Sequence, residues 1–261
     1  MNILYTLCGR AGSKGVRNKN IKSFLDIPLV YYSLAAIKMS IEQLEEGTTY
    51  HVALNTDSED LGRIIKQQKI VDVDILWRDE SLGGDAVPKV SVIKDCYKRS
   101  SANHNIDYDV VVDLDITSPL RTAEDIRNAI DIKMERPDTD VVYSVTGSRR
   151  NPYFNMVKEE NGFFVKAIPS SFTSRQQAPV FYDMNASIYA YSPKALREKA
   201  DATFFNDGAY AIMMKDTAVL DIDSEEDYEL MEVIGKYLYE KYENFTAVQK
   251  KALEILNSVS V

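Results

Sequence analysis

The chain has 261 residues, of which 45% are apolar and 27% are charged, and its formal net charge is −9. This balance excludes wholesale disorder, and the acidity argues against general nucleic-acid binding, which needs a surplus of Lys and Arg. Two cysteines are too few for a disulfide framework, and two histidines are too few for a histidine-based zinc site or a Ser–His relay. Any chemistry is therefore expected to depend on carboxylates, Lys, Arg and a metal.

The expected location is the cytoplasm. The N-terminus has no basic region followed by a long apolar stretch, and no segment approaches the roughly 20 apolar residues that span a bilayer. We therefore expect neither a membrane nor a nucleic acid among the partners. The length suits one large α/β domain, or one such domain with a small insertion.

Strand-like and helix-like runs alternate along the first 145 residues. Strands are predicted at 2–8, 49–55, 73–77, 108–114 and 140–145. Helices are predicted at 28–46, from Ser58 onwards, at 88–99 and at 123–135, the last after a capping-box pattern of Thr122 and Asp125. This alternation predicts an α/β fold with a largely parallel sheet that is covered on both faces.

The alternation breaks between residues 146 and 183, where Gly, Asn and Pro recur around a short strand pair at about 154–166. We interpret 146–183 as an insertion that projects from the main domain, which comprises 1–145 and 184–261. Alternation then resumes. Strands are predicted at 187–191, 209–214 and 217–222, and helices at 193–199, 225–243 and 246–257.

A glycine-rich and cationic stretch, GRAGSKG at 9–15, directly follows the first predicted strand. In open parallel sheets, ligands bind at the carboxyl ends of strands, and glycines let backbone N–H groups close around phosphate oxygens. Four cations fall within ten residues: Arg10, Lys14, Arg17 and Lys19. The spacing matches neither the dinucleotide fingerprint nor the Walker loop. The alternatives are a triphosphate cradle and a plain turn with solvated cations.

An aspartate pair accompanies the strand at 108–114. Asp113 and Asp115 are two residues apart, so they face the same side of a strand, and Pro119 fixes the following turn. Asp115 is either a site residue or a turn residue that bonds its own backbone.

A second pair, Asp221 and Asp223, flanks one apolar residue at a later strand end. Hard oxygen ligands at such a position suit Mg²⁺ bridged to phosphates. Alternatively, Asp223 or Ser224 caps the helix at 225–243, and both interpretations hold if Ser224 is the cap.

A polar loop, RQQAP at 175–179 with YDMN at 182–185, surrounds a proline turn. Its Arg, amides, Tyr and Asn are groups that hold a carboxylate and sugar hydroxyls, although an ordinary polar loop has the same composition. Arg149 and Arg150 are either a solvated pair or an anion site that reaches a neighbouring subunit.

In combination these segments resemble the acylneuraminate cytidylyltransferases, the CMP-sialic acid synthetases. The hallmark of that family is Arg-x-Gly-Ser-Lys-Gly followed by Lys-Asn, here RAGSKG at 10–15 and Lys19-Asn20. Further matches come in family order: NTDS at 55–58, Arg78-Asp79 with Leu82, TSPLR at 117–121 and DID at 221–223. Within the family the chain is most similar to bacterial enzymes for N,N′-diacetyllegionaminic acid. That similarity rests on the segments at 114–121, 149–155, 182–189 and 221–225.

The resemblance implies a doubly wound, mostly parallel α/β fold of the nucleotide-diphosphosugar transferase type. It also implies a homodimer in which the projecting segment reaches the partner's active site. The implied reaction is Mg²⁺-dependent transfer of CMP from CTP to a nine-carbon acidic sugar, N,N′-diacetyllegionaminic acid or a sialic acid relative, with release of pyrophosphate.

The resemblance also assigns residues to roles. The predicted catalytic residues are Arg10, Lys19, Asp221 and Asp223, and the predicted metal ligands are Asp221, Asp223 and Asp115. The predicted nucleotide-binding residues are Gly12, Ser13, Lys14, Gly15, Asn20, Asp57 and Arg78. The predicted sugar-binding residues are Asp115, Thr117, Ser118, Arg175, Tyr182 and Asn185.

Two departures from the family pattern leave alternatives open. Cys8-Gly9 stands where the family often has Pro-Ala. Asp115 stands where the sialic acid enzymes commonly carry a Gln that contacts the sugar, so Asp115 either holds a second Mg²⁺ or contacts a different sugar substituent. The alternative functions are a CMP-pseudaminate or CMP-Kdo synthetase, a glycosyltransferase on a related fold, and a nucleotide-binding regulator with a decayed site.

Overall fold

A computed structural model describes residues 1–12, 16, 18–84, 86–216 and 221–259. The strands are β1 (Asn2–Gly9), β2 (Ser23–Phe24), β3 (Ile27–Pro28), β4 (Thr49–Thr56), β5 (Asp74–Trp77), β6 (Val110–Leu114), β7 (Val141–Gly147), β8 (Val157–Glu160), β9 (Phe163–Lys166), β10 (Tyr182–Tyr191) and β11 (Ala209–Met213). The α-helices are α1 (Leu29–Ile41), α2 (Glu59–Gln67), α3 (Lys89–His104), α4 (Ala123–Glu135), α5 (Pro193–Glu198), α6 (Glu225–Lys241) and α7 (Glu243–Asn257).

Within the described residues, seven strands form the central sheet in the order β11-β7-β10-β6-β1-β4-β5. β1 is parallel to β4 and to β6, β4 is parallel to β5, and β7 is parallel to β11. β10 is antiparallel to both of its neighbours, β6 and β7. The sheet is therefore mostly parallel, with one reversed strand near its middle.

Helices cover both faces because the central strands are apolar on both sides. In β1, Ile3 and Leu7 point to a large core shared with α1, α4 and α7, while Leu4 points to a second core shared with α3 and α5. The two cores lie on opposite faces of the sheet, which follows from the alternation of side chains along a strand. The predicted doubly wound α/β class is confirmed.

Most predicted element boundaries hold, and the capping box at Thr122 and Asp125 is present. α1 ends at Ile41 rather than at residue 46, because short-range backbone bonds tighten its last turn and Gly47, at φ +83°, redirects the chain. α3 continues to His104, where Asn105 adopts the left-handed conformation of a C-terminal cap.

β10 begins five residues earlier than predicted, at Tyr182, because its first residues pair with the end of β7. Its register shifts between Met184 and Tyr189, and Ala186 in that stretch has φ +50°. Of the predicted strand at 217–222, residues 217–220 lie outside the described residues, and Asp221 and Ile222 are not in a strand.

The projecting segment contains the predicted strand pair. β8 and β9 form a two-stranded antiparallel hairpin of their own, joined by Asn161-Gly162 with positive φ at both residues. The division of the chain into a main domain and an insertion at 146–183 stays an interpretation. Among the residues that the structure describes, no helix combines the length and the apolar character needed to cross a membrane.

Candidate active site

A cleft of about 380 Å³ lies at the carboxyl edge of β1, β5 and β6. Parallel strands bring their carboxyl ends to one edge, so the loops that follow them meet there. Eight of the residues predicted as site residues line this cleft: Arg10, Lys19, Asn20, Arg78, Asp115, Thr117, Asp221 and Asp223.

The N-terminal loop and the late aspartate pair meet at this cleft. Lys19 Nζ donates to the carbonyl oxygen of Ile222 at 2.8 Å and lies 3.3 Å from Asp223 Oδ1. Asn20, which is buried, donates from Nδ2 to the carbonyl oxygen of Arg10 at 3.2 Å. Residues about 200 positions apart in sequence are thereby fixed at one edge of the sheet.

Asp221 and Asp223 differ in their surroundings. Asp221 is half-buried, and its Oδ1 is shielded from solvent without a hydrogen-bond partner among the described residues. Burial, and then the nearby Asp115, raise the pKa of Asp221. The Asp223 side chain is 78% exposed. Ser224 caps α6 by bonding the backbone N–H of Asp227, so the aspartates are not needed as caps.

This pair fits a magnesium site that the nucleotide completes. Mg²⁺ is usually held by one or two carboxylates together with water and substrate phosphates. The unpartnered oxygen of Asp221 and the open carboxylate of Asp223 supply such ligands. Within the described part of the chain, no group of three or more His, Cys, Asp or Glu residues is arranged to hold a metal ion unaided.

Asp113, Asp115 and Lys89 form a compact charge cluster next to the cleft. Lys89 Nζ lies 2.8 Å from Asp113 Oδ2 and 2.8 Å from Asp115 Oδ2. Burial opposes the charge on Lys89, but the two carboxylates outweigh it and raise the pKa of Lys89 well above its ordinary value. Burial likewise opposes the charge on Asp115, yet Lys89 and Thr117 lower the pKa of Asp115 to about 2.

The loop after β6 is built around the fully buried Arg121. Its guanidinium donates to Ser187 Oγ at 3.0 Å, to Ser33 Oγ at 3.1 Å, and to the carbonyl oxygens of Asp115 and Ser118. Burial lowers the pKa of Arg121 to about 10, so the group remains charged near neutral pH. Arg121 thus holds the backbone that presents Asp115 and Thr117 to the cleft.

The loops after β4 and β5 are tied to the same region. Asp57 Oδ1 accepts from the backbone N–H of Ala11 at 2.6 Å and so braces the N-terminal loop. Arg78 donates from Nε to Asn55 Oδ1 at 2.7 Å, which directs its guanidinium along the cleft wall. Asp57 therefore contacts the loop backbone, whereas Arg78 faces the cleft.

The other predicted site residues that the structure describes do not line the cleft. Ser118 and Asn185 are buried, and Asn185 Oδ1 accepts from Ser144 Oγ at 2.5 Å. Arg175 donates to the carbonyl oxygen of Ser148 in a separate cavity of about 140 Å³.

Tyr182 is exposed, at the start of β10. Gly12 has φ +70°, and Ser13, Lys14 and Gly15 lie outside the described residues.

Lys89 is the functional candidate that the sequence analysis missed. One signal was available, because Lys89 is the first residue of a helix, where the helix dipole disfavours a cation. A lysine at that position indicates that nearby carboxylates hold it.

We predict that replacing Arg121 destabilises the protein. Arg121→Met removes the guanidinium donors to the Asp115 and Ser118 carbonyls, and breaking a buried charged network of this kind costs roughly 3–5 kcal/mol. Urea unfolding measures the loss. Arg127→Met on α4 is the control, since the partly exposed Arg127 bonds one carbonyl, of Gln43, and should cost below about 1 kcal/mol. Equal losses for the two variants would contradict the assigned role.

We also predict a pH-dependent contribution from Asp115. Its pKa is about 2 in the fold and 3.8 ordinarily, so its stabilising effect is present above about pH 4 and is lost as the pH falls towards 2. Asp115→Asn should therefore be less stable than wild type at pH 7, with a difference in unfolding free energy that shrinks between pH 4 and pH 2. Asp131→Asn, at an exposed position on α4, should show no such convergence. A constant difference for Asp115→Asn would disprove the prediction.

Comparison with known proteins agrees with this geometry. The family model described as cytidylyltransferase matches residues 7–256. A flagellin modification protein B of Campylobacter coli is 35% identical over 90% of this chain and 95% of its own length. A CMP-N,N′-diacetyllegionaminic acid synthase of Campylobacter jejuni is 34% identical over 89% of this chain and 94% of its own length. An N-acylneuraminate cytidylyltransferase of Streptococcus agalactiae is 25% identical over 88% of this chain, but over only 52% of its own length.

The fold is also shared with solved structures. A CMP:2-keto-3-deoxy-manno-octonic acid synthetase complexed with CTP superposes with a TM-score of 0.60 at 11% identity, covering 91% of this chain and 99% of its own. With the family match over nearly the whole chain and relatives above 30% identity, the protein belongs to the cytidylyltransferase family.

Proposed function

We propose that this protein transfers CMP from CTP to a nonulosonic acid, N,N′-diacetyllegionaminic acid or a sialic acid relative, and releases pyrophosphate. The observation that carries the proposal is the meeting of the cationic N-terminal loop and the Asp221–Asp223 pair at one cleft. The free cysteines fit a reducing compartment, so we assign the reaction to the cytoplasm.

In this proposal the cations hold the triphosphate. Arg10 and Lys19 line the cleft, and we assign them to the phosphates, where they would neutralise the charge that grows on pyrophosphate as the bond between Pα and the bridging oxygen breaks. The same link from Lys19 to residues 222 and 223 fixes this cation relative to the carboxylates. Asn20 and Arg78, on the adjoining wall, are assigned to the nucleoside.

Asp221 and Asp223 are assigned to Mg²⁺. When bound, the ion polarises the α-phosphate and favours loss of the proton from the attacking hydroxyl. The anomeric oxygen of the sugar forms the new bond to Pα, and pyrophosphate departs on the opposite side. The carboxylates of Asp221 and Asp223 are already in position in the fold, so these side chains need to move little during the reaction.

The sugar is assigned to the open side of the cleft next to Asp115 and Thr117. The name of the Campylobacter jejuni relative, at 34% identity, favours the legionaminic acid derivative. A pseudaminic acid cytidylyltransferase from the same species is only 23% identical, which makes pseudaminic acid the second choice. Arg175 and Tyr182 lie outside the cleft of their own subunit, and we assign them to the sugar site of a partner subunit.

That assignment requires a homodimer formed through the projecting hairpin, β8–β9. Phe163 and Phe164 are neighbours in one strand, so they point to opposite faces, yet each is 74% exposed. Val157 and Val180 are also exposed on this segment. A lone two-stranded hairpin is marginally stable in water, so we infer that a second copy covers these apolar side chains and stabilises the hairpin.

Asp221→Asn and Asp223→Asn are expected to lower pyrophosphate release by about 100-fold or more, since each removes a ligand of the charge-neutralising ion. The assay uses CTP, Mg²⁺ and a panel of four sugars: the legionaminic acid derivative, N-acetylneuraminate, pseudaminate and Kdo. Glu226→Gln, an exposed acid in the first turn of α6, is the matched control and should keep its rate. CTP binding is followed separately by fluorescence of Trp77, the only tryptophan, which adjoins Arg78.

Near-normal rates in either aspartate variant would remove the metal assignment. Transfer from a sugar nucleotide, with no pyrophosphate from CTP on any sugar of the panel, would refute the proposed function itself.

The dimer is tested by Phe163→Ser combined with Phe164→Ser. We expect this double variant to sediment as a monomer and to lose most activity, because each subunit would lack the partner's contribution to its sugar site. Leu253→Ser, at an exposed apolar position on α7, should remain dimeric and active. A wild-type monomer with full activity would contradict the assembly.

A further inference from the structure

Lys89 and Asp113 have no role in the proposed reaction, and together with Asp115 they form a charge cluster beside the cleft. Asp113 is fully buried in β6, and the half-buried Lys89 is the cation that faces it, at 2.8 Å. A buried carboxylate without such a partner would be costly, so the ammonium is a fixed part of this corner of the cleft.

Each of the two carboxylates already contacts a threonine hydroxyl and the Lys89 ammonium; Asp113 Oδ2 has no hydrogen bond among the described residues but lies at ion-pair distance from Lys89. Asp113 Oδ1 accepts from Thr6 Oγ1 at 2.8 Å, and Asp115 Oδ1 accepts from Thr117 Oγ1 at 2.9 Å. The remaining oxygen of each carboxylate lies 2.8 Å from Lys89 Nζ. A divalent ion between Asp113 and Asp115 would have to displace the ammonium.

Asp221 differs from Asp113 and Asp115, whose carboxylates both contact Lys89. Its Oδ1 is buried, has no hydrogen-bond partner among the described residues, and belongs to a carboxylate that lines the cleft. Asp223 beside it is largely exposed, and its Oδ1 lies 3.3 Å from Lys19 Nζ. Among the described residues, the cleft therefore offers an unpartnered carboxylate oxygen at Asp221, whereas at Asp113 and Asp115 a lysine already supplies the positive charge.

We propose that Lys89 is a built-in cation that stands where a second metal would otherwise bind, so that each chain takes one divalent ion, through Asp221 and Asp223. Asp115 is then a positioning residue, which orients Lys89 and Thr117 at the cleft, and not a metal ligand. This inference rests on the proposed function, since it assumes that CTP and a divalent ion bind in this cleft.

The test counts Mn²⁺ ions by electron paramagnetic resonance, with one CTP per chain and no sugar present. We expect one bound Mn²⁺ per chain for wild type. Asp223→Asn should weaken Mn²⁺ binding roughly tenfold or more, because it removes a ligand. Asp115→Asn should change it by only about threefold, through the loss of a neighbouring charge.

Lys89→Met is the complementary variant. Removing the ammonium leaves Asp113 and Asp115 facing each other, so this variant is expected to bind a second Mn²⁺ and to gain thermal stability on Mn²⁺ addition. Lys94→Met is the matched control, because Lys94 lies on the same helix, pairs with Asp201 at 2.6 Å and does not line the cleft. It should bind one ion and show no such gain.

Two Mn²⁺ ions per wild-type chain would overturn the inference, as would loss of Mn²⁺ binding in Asp115→Asn or a folded Lys89→Met that still binds only one ion. If Lys89→Met does not fold, the wild-type count and the Asp115→Asn affinity decide alone. Failure of this inference is distinct from failure of the proposed function. If the inference alone is wrong, the protein binds CTP and releases pyrophosphate but has a different ion count. If the proposed function is wrong, the protein neither binds CTP nor releases pyrophosphate.

Discussion

The ammonium of Lys19 links two parts of the chain that the sequence separates by about 200 residues. By donating to the carbonyl of Ile222 and approaching Asp223, it sets the distance between the cationic loop after β1 and the carboxylates before α6. Everything assigned to the cleft depends on that distance. In the proposed function, cations of the loop contact one side of the triphosphate and a metal ion contacts the other. Lys19 is one of those cations, and its contacts with Ile222 and Asp223 also set the distance between the loop and the carboxylates.

The charges of the cleft are arranged in layers of decreasing burial. Asp113 and Arg121 are fully buried and structural, Asp115 and Lys89 lie at the boundary, and Asp223 is open to solvent. Asp113 is held by Thr6 and the ammonium of Lys89, and Arg121 is held by hydroxyls and carbonyls, so both have fixed positions in the fold. Preorganisation of this kind is what nucleotidyl transfer requires, because most of its catalysis is positioning and charge neutralisation.

Much of the fold could be predicted from local pattern. Apolar runs identified the buried strands, capping residues identified the starts of α4 and α6, and the motif at 9–15 fell at a strand end, where ligands bind. The place of β10 in the sheet could not be predicted from local sequence pattern. Nothing local shows that residues 182–191 insert antiparallel between β6 and β7, since that choice depends on pairing between distant segments. The same long-range pairing buries Asn185, which the sequence alone presents as an available polar side chain.

The candidate site likewise contains residues that local sequence patterns identify and one that depends on contacts between distant segments. Residues in glycine-rich or Asp-x-Asp patterns were recognisable, because the residues of each motif are close together in the sequence. Lys89 was not, because its partners Asp113 and Asp115 lie more than twenty residues further along the chain. The unfavourable position of Lys89 at a helix start signals a partner but does not identify it. Only the sheet, which brings α3 over the end of β6, shows that this lysine faces two carboxylates.

Among the described strands of the central sheet, β10 is the one that runs antiparallel to its neighbours, and it links two separate parts of the molecule. β10 starts in the projecting segment at Tyr182 and ends at the centre of the sheet, and on the way the carbonyl of Ser187 accepts from the backbone N–H of Asp115. The irregular stretch around Ala186 separates a peripheral half from a central half of this strand. One strand thus connects the segment that begins at Tyr182 with the backbone of Asp115 at the rim of the cleft, and its register shift lies between these two ends.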